Sequence, residues 1–446
     1  MNKEYLIYEK PWKALLVFAF PMIIGNLFQQ LYTMVDSVVV GKYVSENALA
    51  AVGASYSLTA VFISIAIGGG IGASVITSRY FGARDYHKMK NSIKTALFVF
   101  CMLSIVLAVV GWTFSKQMMI WLNTPQAVLS DAVLYLKIYF LGLPFLFMYN
   151  ILASMFNSLG KSKIPLYLLI FSSVFNIVLD VVLVRDYHMG VKGVALATFI
   201  AQGISAILSA ILLAGEMKNY PLDKKTIWFD KAEFSIMSKV ALPSILQQST
   251  ISIGMMLVQS VVNSFGEQVL AGFSAGTRIE SLCIVPMMAM GNVMSAYTAQ
   301  NTGAGRMDRV HKGYKVAYIL IGIFALVDAI VVEGFYPQLL QLFMEESQTS
   351  VAYNTGVTYT VFVGWFYIFI GLKMITDGLL RGAGYMKWFT VANMVNLGIR
   401  VVVSMIFAPI YGVQIVWYAI PLGWLANYMI SFVTYLRGTW ERRLAL

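Results

Sequence analysis

The sequence predicts an all-α polytopic membrane protein, with twelve transmembrane helices in two pseudo-symmetric six-helix lobes around a central cavity. Three observations carry this expectation. The 446 residues are 59% hydrophobic and only 12% charged, whereas soluble domains carry about 25% charge and disordered chains need more charge and less apolar content. Apolar runs long enough for a bilayer crossing, about 20 residues, recur along the chain. The two halves of the chain also resemble each other.

In chain order the apolar runs lie near 14–40, 47–78, 93–114, 132–159, 164–184, 191–215, 237–264, 270–300, 315–334, 354–380, 387–408 and 412–436. The first is too long for a signal-peptide core and no small-residue cleavage site follows it, so it reads as a retained helix. Of the 32 basic residues, 24 fall at the termini and in the even-numbered loops. The odd-numbered loops hold Lys42, Lys116, Lys137, Arg185 and Lys192, and the spans hold Arg278, Lys373 and Arg400. The positive-inside rule then places both termini in the cytoplasm. The net charge of +11 is thereby a topology signal and does not point to nucleic acid, which needs a clustered basic face. The polar stretch around Lys218, Asp223, Lys224, Lys225, Asp230 and Lys231 divides the chain into lobes 1–218 and 237–446, joined by a linker over 219–236.

The halves match at an offset of about 221 residues. Phe20-Pro21 pairs with Leu242-Pro243, and Leu49-Ala50-Ala51 with Leu270-Ala271-Gly272. Gly82-Ala83-Arg84-Asp85 pairs with the stretch from Gly303-Ala304 to Asp308, Leu159-Gly160 with Arg381-Gly382, Asn176 with Asn396, and Gly190-Val191 with Gly412-Val413. An even number of helices per repeat keeps both copies in one orientation, an arrangement suited to alternating access.

Charged residues inside a bilayer are costly and mark functional sites by default. Asp36 lies one turn from Tyr32 in the first span, and Asp180 one turn from Asn176 in the fifth. Such an acid, set in a polar stripe, suits a proton carrier, or an oxygen ligand if Na+ enters. The alternative is an acid near the outer interface, hydrated or bonded for packing. The second half carries Arg278 and Glu280, Lys373 and Asp377, and Arg400. The first two pairs read equally as neutralising ion pairs, while Arg400 occupies the repeat position of Asp180. Pro21 and Pro243 each interrupt a helix ladder and allow a bend. The run Gly68-Gly69-Gly70-Ile71-Gly72 lacks the Lys-Ser/Thr of a phosphate loop and reads as close helix packing. Cys101 and Cys283 form no disulfide or metal pattern. His87, His188 and His311 sit in loops without a motif. No cofactor is implied.

Several stretches together resemble the multidrug and toxic compound extrusion (MATE) transporters of the MOP flippase superfamily. They are Phe20-Pro21, Leu31-Tyr32, Asp36-Ser37, Gly41, Leu49-Ala50-Ala51-Val52-Gly53, the Gly82-Ala83-Arg84-Asp85 loop and Gln300-Asn301-Thr302-Gly303-Ala304-Gly305. The resemblance runs over essentially the whole chain and is nearest to the DinF-like branch. It implies a MATE-like fold and export of organic, often cationic and amphipathic, compounds against inward H+ or Na+. It further implies a coupling-cation cluster at Tyr32, Asp36, Tyr135, Asn150, Asn176, Asp180 and Thr198, with Na+ held at Asp36 and Asp180 if Na+ is the ion, and Pro21 as the bending proline. Where other branches carry an acid in the seventh span, this chain has Gln247, Gln248 and Ile251, so no cation site is carried over to the second half. Glu280, Asp377, Arg278 and Arg400 remain secondary candidates.

The expected function is therefore a secondary antiporter for multidrug efflux in the cytoplasmic membrane, monomeric, with small organic molecules and membrane lipids as its partners. A lipid-linked oligosaccharide flippase of the same superfamily would need several cations facing the cavity, for which Arg278, Lys373 and Arg400 are the candidates. A membrane-embedded enzyme would need a catalytic grouping that is absent from the sequence. A structural or receptor role leaves the duplication and the buried acids unexplained.

Overall fold

A computed structural model describes residues 4–43, 46–122, 124–221, 226–344 and 350–442, with the side chains of 32, 34–43, 46–50, 57 and 442 also outside the described set. The helices are α1 (Tyr5–Tyr8), α2 (Pro11–Tyr43), α3 (Glu46–Gly82), α4 (Tyr86–Trp121), α5 (Gln126–Ser158), α6 (Lys163–Val181), α7 (Gly190–Met217), α8 (Lys231–Asn263), α9 (Glu267–Cys283), α10 (Val285–Gly303), α11 (Met307–Gln341), α12 (Val351–Gly364), α13 (Tyr367–Gly382), α14 (Met386–Tyr411), α15 (Gln414–Leu436) and α16 (Thr439–Arg442). Among the described residues there is no strand.

Among the described residues ten helices are long and apolar enough to cross a bilayer, and two bent pairs, α9 with α10 and α12 with α13, bring the number to twelve if each pair is one span. Their apolar residues face outward as well as inward. On α11, Ile319, Ile323, Leu326 and Ile330 share one face and are 64%, 51%, 62% and 61% exposed. Water would penalise such a stripe, and a hydrocarbon surround removes the penalty.

The bent pairs depart from the two unbroken runs expected at 270–300 and 354–380. The first pair bends by 41° at Ile284, just before Pro286, which has no amide to donate; the second bends by 51° between Gly364 and Tyr367. Pro21 and Pro243, by contrast, lie inside continuous helices α2 and α8. His87 and His311, expected in loops, lie in the first two turns of α4 and α11.

The chain forms two compact units. The N-terminal unit holds Ile24–Ile245 and the C-terminal unit holds Met1–Ile23 with Leu246–Leu446. Thus α2 and α8 each change units two residues after a proline. Within the N-terminal unit, α5 packs on α3, α4 and α7, and α7 packs on α6. The glycine run seats the first half of α8: a Cβ at Gly68 would lie 2.6 Å from the Ser244 carbonyl oxygen, and one at Gly72 would lie 2.4 Å from Ala241 Cα. The linker is tied to α4. Lys90 Nζ donates to the Tyr220 carbonyl at 2.7 Å and Lys94 Nζ to Thr226 Oγ1 at 2.7 Å. The Ile227 and Asp230 amides donate to Asn91 and Thr95 at 3.2 and 3.0 Å.

Within the C-terminal unit, α14 packs on α15, α10 on α13, α9 on α12, and α13 on α15. Here α1 takes the place of the linker. Asn301 donates to the Leu6 carbonyl at 3.1 Å, Arg306 to that of Ile7 at 3.0 Å and Arg309 to that of Glu9 at 2.6 Å. These bonds satisfy carbonyls that a one-turn helix leaves open. The repeat is visible in the left-handed turns too, since Arg84 (φ 57°) matches Gly305 (φ 70°) and Gly190 (φ 56°) matches Gly412 (φ 94°). The turn after α5 at Gly160 corresponds to Gly384 after α13, both left-handed, two residues beyond the Gly382 that sequence matching sets opposite Gly160.

The glycine seat is testable. Gly68→Val forces a side chain into α8 backbone and is expected to cost about 1–3 kcal/mol or more, read as a lower unfolding temperature in detergent. Gly53→Ala, whose Cβ meets nothing within 4 Å, should leave that temperature unchanged or raise it slightly.

Candidate functional site

In the N-terminal unit the expected polar residues are set by α5, α6 and α7. Asn176 and Asp180 lie one turn apart on α6 and are buried, at 2% and 0% exposure. The Asn176 amide reaches Thr198 Oγ1 on α7 at 3.5 Å. A π-helical turn over Val182–Asp186 begins two residues after Asp180, a device common at functional sites. Thr198 and Tyr135 line a small cavity between α5 and α7, together with Tyr139 and Gln202. Tyr139 on its wall donates to the Thr59 carbonyl of α3 at 3.3 Å. Asp180, Asn176, Thr198 and Tyr135 thus belong to one region, on three adjoining helices.

Asn150 lies further along α5. It is 15 residues beyond Tyr135 on the same helix, about 22 Å at 1.5 Å per residue, and its amide donates to the Leu146 carbonyl at 2.8 Å. Tyr32 and Asp36 lie on α2, outside the residues whose side chains are described. Pro21 is buried within α2.

The C-terminal unit contains a denser polar core than the sequence suggested. Lys373 Nζ lies 3.3 Å from Asp377 Oδ2, and both side chains are 2% exposed. Asp377 also accepts from the Asn393 amide at 3.1 Å and from Ser431 Oγ at 2.8 Å. One turn on, Arg381 donates to Ser295 at 3.2 Å, to Gln247 at 3.3 Å and to Asn292 at 2.9 Å. Gln247 in turn reaches Asn393 Oδ1 at 3.5 Å, closing the network across α8, α10, α13, α14 and α15. The sequence reading counted Arg381 among loop residues, yet it is 5% exposed. Its signal was the spacing Lys373, Asp377, Arg381, which places three charges on one helix face.

The other secondary candidates separate. Glu280 is buried and accepts a hydrogen bond from the Tyr359 hydroxyl. Arg278 is exposed, with its guanidinium 6.0 Å from the Phe343 ring centroid, so it does not pair with Glu280. Arg400 is buried on α14 beside Met255. Among the described residues no group of three or more His, Cys, Asp or Glu is placed to hold a metal ion.

The Lys373–Asp377 pair predicts a non-additive stability pattern. Asp377→Asn removes the countercharge of a buried ammonium and should cost about 3 kcal/mol, whereas adding Lys373→Gln should restore most of that loss. Unfolding temperatures in detergent check it; equal losses in the single and double variants would contradict the pairing.

Comparison with known proteins completes the description. The MatE family pattern matches residues 21–182 and again 243–406, the same two stretches that the internal repeat sets opposite each other. The chain is 29% identical over 431 residues to the Probable multidrug resistance protein YpnP of Bacillus subtilis, covering 96% of each chain. It is 22% identical to the Multidrug export protein MepA of Staphylococcus haemolyticus, over 98% of this chain and 96% of that one. Among solved structures, a MATE crystal structure in the bent conformation superposes with a TM-score of 0.91 at 22% identity, over 100% of both chains.

Proposed function

The chain belongs to the MatE family of membrane transporters, and on that premise we propose that it exports organic compounds across the cytoplasmic membrane in exchange for H+ or Na+, by alternating access. The observation that carries this reading is Asp180, a fully buried carboxylate in a membrane-spanning helix, grouped with Asn176, Thr198 and Tyr135. A buried acid is costly in a bilayer, so its presence marks a functional site by default. Protonation removes its charge, and Na+ supplies a countercharge with hydroxyl and amide oxygens completing the shell. Asp36, on α2, is the second carrier.

Coupling needs only that ion and substrate prefer different conformations. The two compact units, Ile24–Ile245 and Met1–Ile23 with Leu246–Leu446, are the moving lobes in this reading, their bounds shifted from the 1–218 and 237–446 expected from the sequence. Pro21 is its hinge, because a proline leaves one carbonyl of the ladder without a donor. The basic residues at the termini and in the even-numbered loops support cytoplasmic termini. No cofactor enters the cycle, and the protein works as a monomer among membrane lipids.

The test is ethidium transport in proteoliposomes under an imposed pH or Na+ gradient. Asp180→Asn and Asp36→Asn should each reduce gradient-driven transport at least about tenfold, the loss of a single charge-assisted interaction or more. Pro21→Ala should keep ethidium binding and slow its exchange. Undiminished gradient-driven transport by both aspartate variants would refute the assignment.

A further inference from the structure

The segment that joins the repeats carries apolar side chains where connecting loops are ordinarily polar. Between the end of α7 at Met217 and the start of α8 at Lys231, the consecutive residues Ile227, Trp228 and Phe229 are 49%, 66% and 43% exposed. Phe234, in the first turn of α8, is exposed as well. Water penalises such a row.

The row is held in this position from both sides. The Ile227 amide donates to Asn91 Oδ1 at 3.2 Å and the Asp230 amide to Thr95 Oγ1 at 3.0 Å. Asp230 in turn caps α8 by accepting from the Ala232 amide at 2.9 Å and the Glu233 amide at 3.3 Å. The Phe229 ring lies 5.8 Å from Phe98 of α4 and 5.8 Å from Phe234, centroid to centroid.

Phe98 ties this cluster to the lipid-facing surface. It begins a stripe of exposed apolar residues on one face of α4, continued at helical spacing by Met102, Ile105 and Val109. Lys94 lies one turn before Phe98 on that stripe. Its ammonium is 5.2 Å from the Trp228 ring centroid and donates to Thr226 Oγ1 at 2.7 Å. The order along this face is therefore cation, aromatic cluster, aliphatic stripe, which is the order of headgroup, interface and hydrocarbon in a leaflet.

The charge balance is positive. An ammonium has three N–H donors, and among the described residues Thr226 takes one from Lys94. Lys231 is exposed and forms no ion pair among the described residues. The neighbouring acids are engaged, Asp230 as the helix cap and Glu233 as acceptor from the Tyr80 hydroxyl at 3.1 Å.

We propose that Lys94 and Lys231, set beside the rings of Trp228, Phe229 and Phe234, bind the phosphate of an anionic phospholipid. Tryptophan favours the headgroup level because its ring is apolar and its N–H is not. Lysines at that level attract anionic headgroups, and the stripe on α4 receives the acyl chain. The lipid then fastens the joint between the repeats to the membrane surface. This site is independent of which compound is exported and of which ion drives export.

The experiment is fluorescence quenching of the purified protein in phosphatidylcholine nanodiscs that contain increasing fractions of a brominated lipid. The bromines sit near the headgroup end of one chain, and the lipid is either phosphatidylglycerol or phosphatidylcholine. Trp228's share is the difference between wild type and Trp228→Phe. Half-maximal quenching of that share should need at least about fivefold less brominated phosphatidylglycerol than phosphatidylcholine. Lys94→Gln combined with Lys231→Gln should bring the two within about twofold while quenching by phosphatidylcholine persists. Lys231→Gln alone changes one exposed side chain and should remove part of the preference. In about 1 M NaCl, where the Debye length is about 3 Å, the preference should also fall.

Equal quenching by the two lipids overturns the anionic assignment. A Trp228 share that neither lipid quenches overturns the placement of this surface against lipid. A preference that survives Lys231→Gln and the double variant undiminished overturns the two lysines as its holders. Inorganic phosphate that abolishes the preference where NaCl of equal ionic strength does not overturns the lipid in favour of free phosphate.

Discussion

The structure depends on one constraint: inside hydrocarbon, every backbone and side-chain polar group must find its partner within the protein. The constraint explains why the described chain is helical without strands, since a helix satisfies its own backbone. It also explains where the polar side chains lie. They gather in a region around Asp180 in the N-terminal unit and in a network around Asp377 and Arg381 in the C-terminal unit. Elsewhere helices meet through close backbone packing. Gly68 and Gly72 seat α8, and a Cβ at Gly378 would lie 2.2 Å from the Gly291 carbonyl oxygen of α10. Small residues at such contacts let dispersion forces hold helices together where lipid is as apolar as the side chains.

Duplication then supplies one scaffold twice. The left-handed turns recur at matching positions, and the segments that precede α2 and α8 are tied down in the same manner, each by basic and amide side chains beside a turn. What differs is the chemistry placed on the scaffold. The first repeat sets Asp180 one turn after an asparagine, and the second sets Arg400 there.

The fold was legible because its signals are long and simple. Apolar runs longer than a bilayer leave little choice of architecture, and the glycine run reads correctly as a packing surface because it lacks the phosphate-loop lysine. The bends at Ile284 and at Gly364 were hidden, because hydropathy records length and not direction. Pro21 and Pro243 lie inside helices that continue past them, since neighbouring packing can satisfy the freed carbonyl. Part of the site was legible for the same reason as the fold: Asn176 and Asp180 are polar residues at helical spacing in an apolar run. Asn150 lies four turns beyond Tyr135 on α5, a separation that residue type alone does not show. Arg381 was missed because a basic residue at the edge of an apolar run looks like a loop anchor, and only the packing of α8 and α10 around it shows that it is buried.

The central claim is that a coupling ion and the substrate compete through the carboxylate of Asp180. It is tested most directly by adding substrate to the purified protein in weakly buffered detergent solution and measuring what leaves, protons with a pH dye or Na+ by isotope. The account predicts ion release from the wild type on ethidium binding and a clearly smaller release from Asp180→Asn at equal ethidium occupancy. Equal release from both proteins would contradict it.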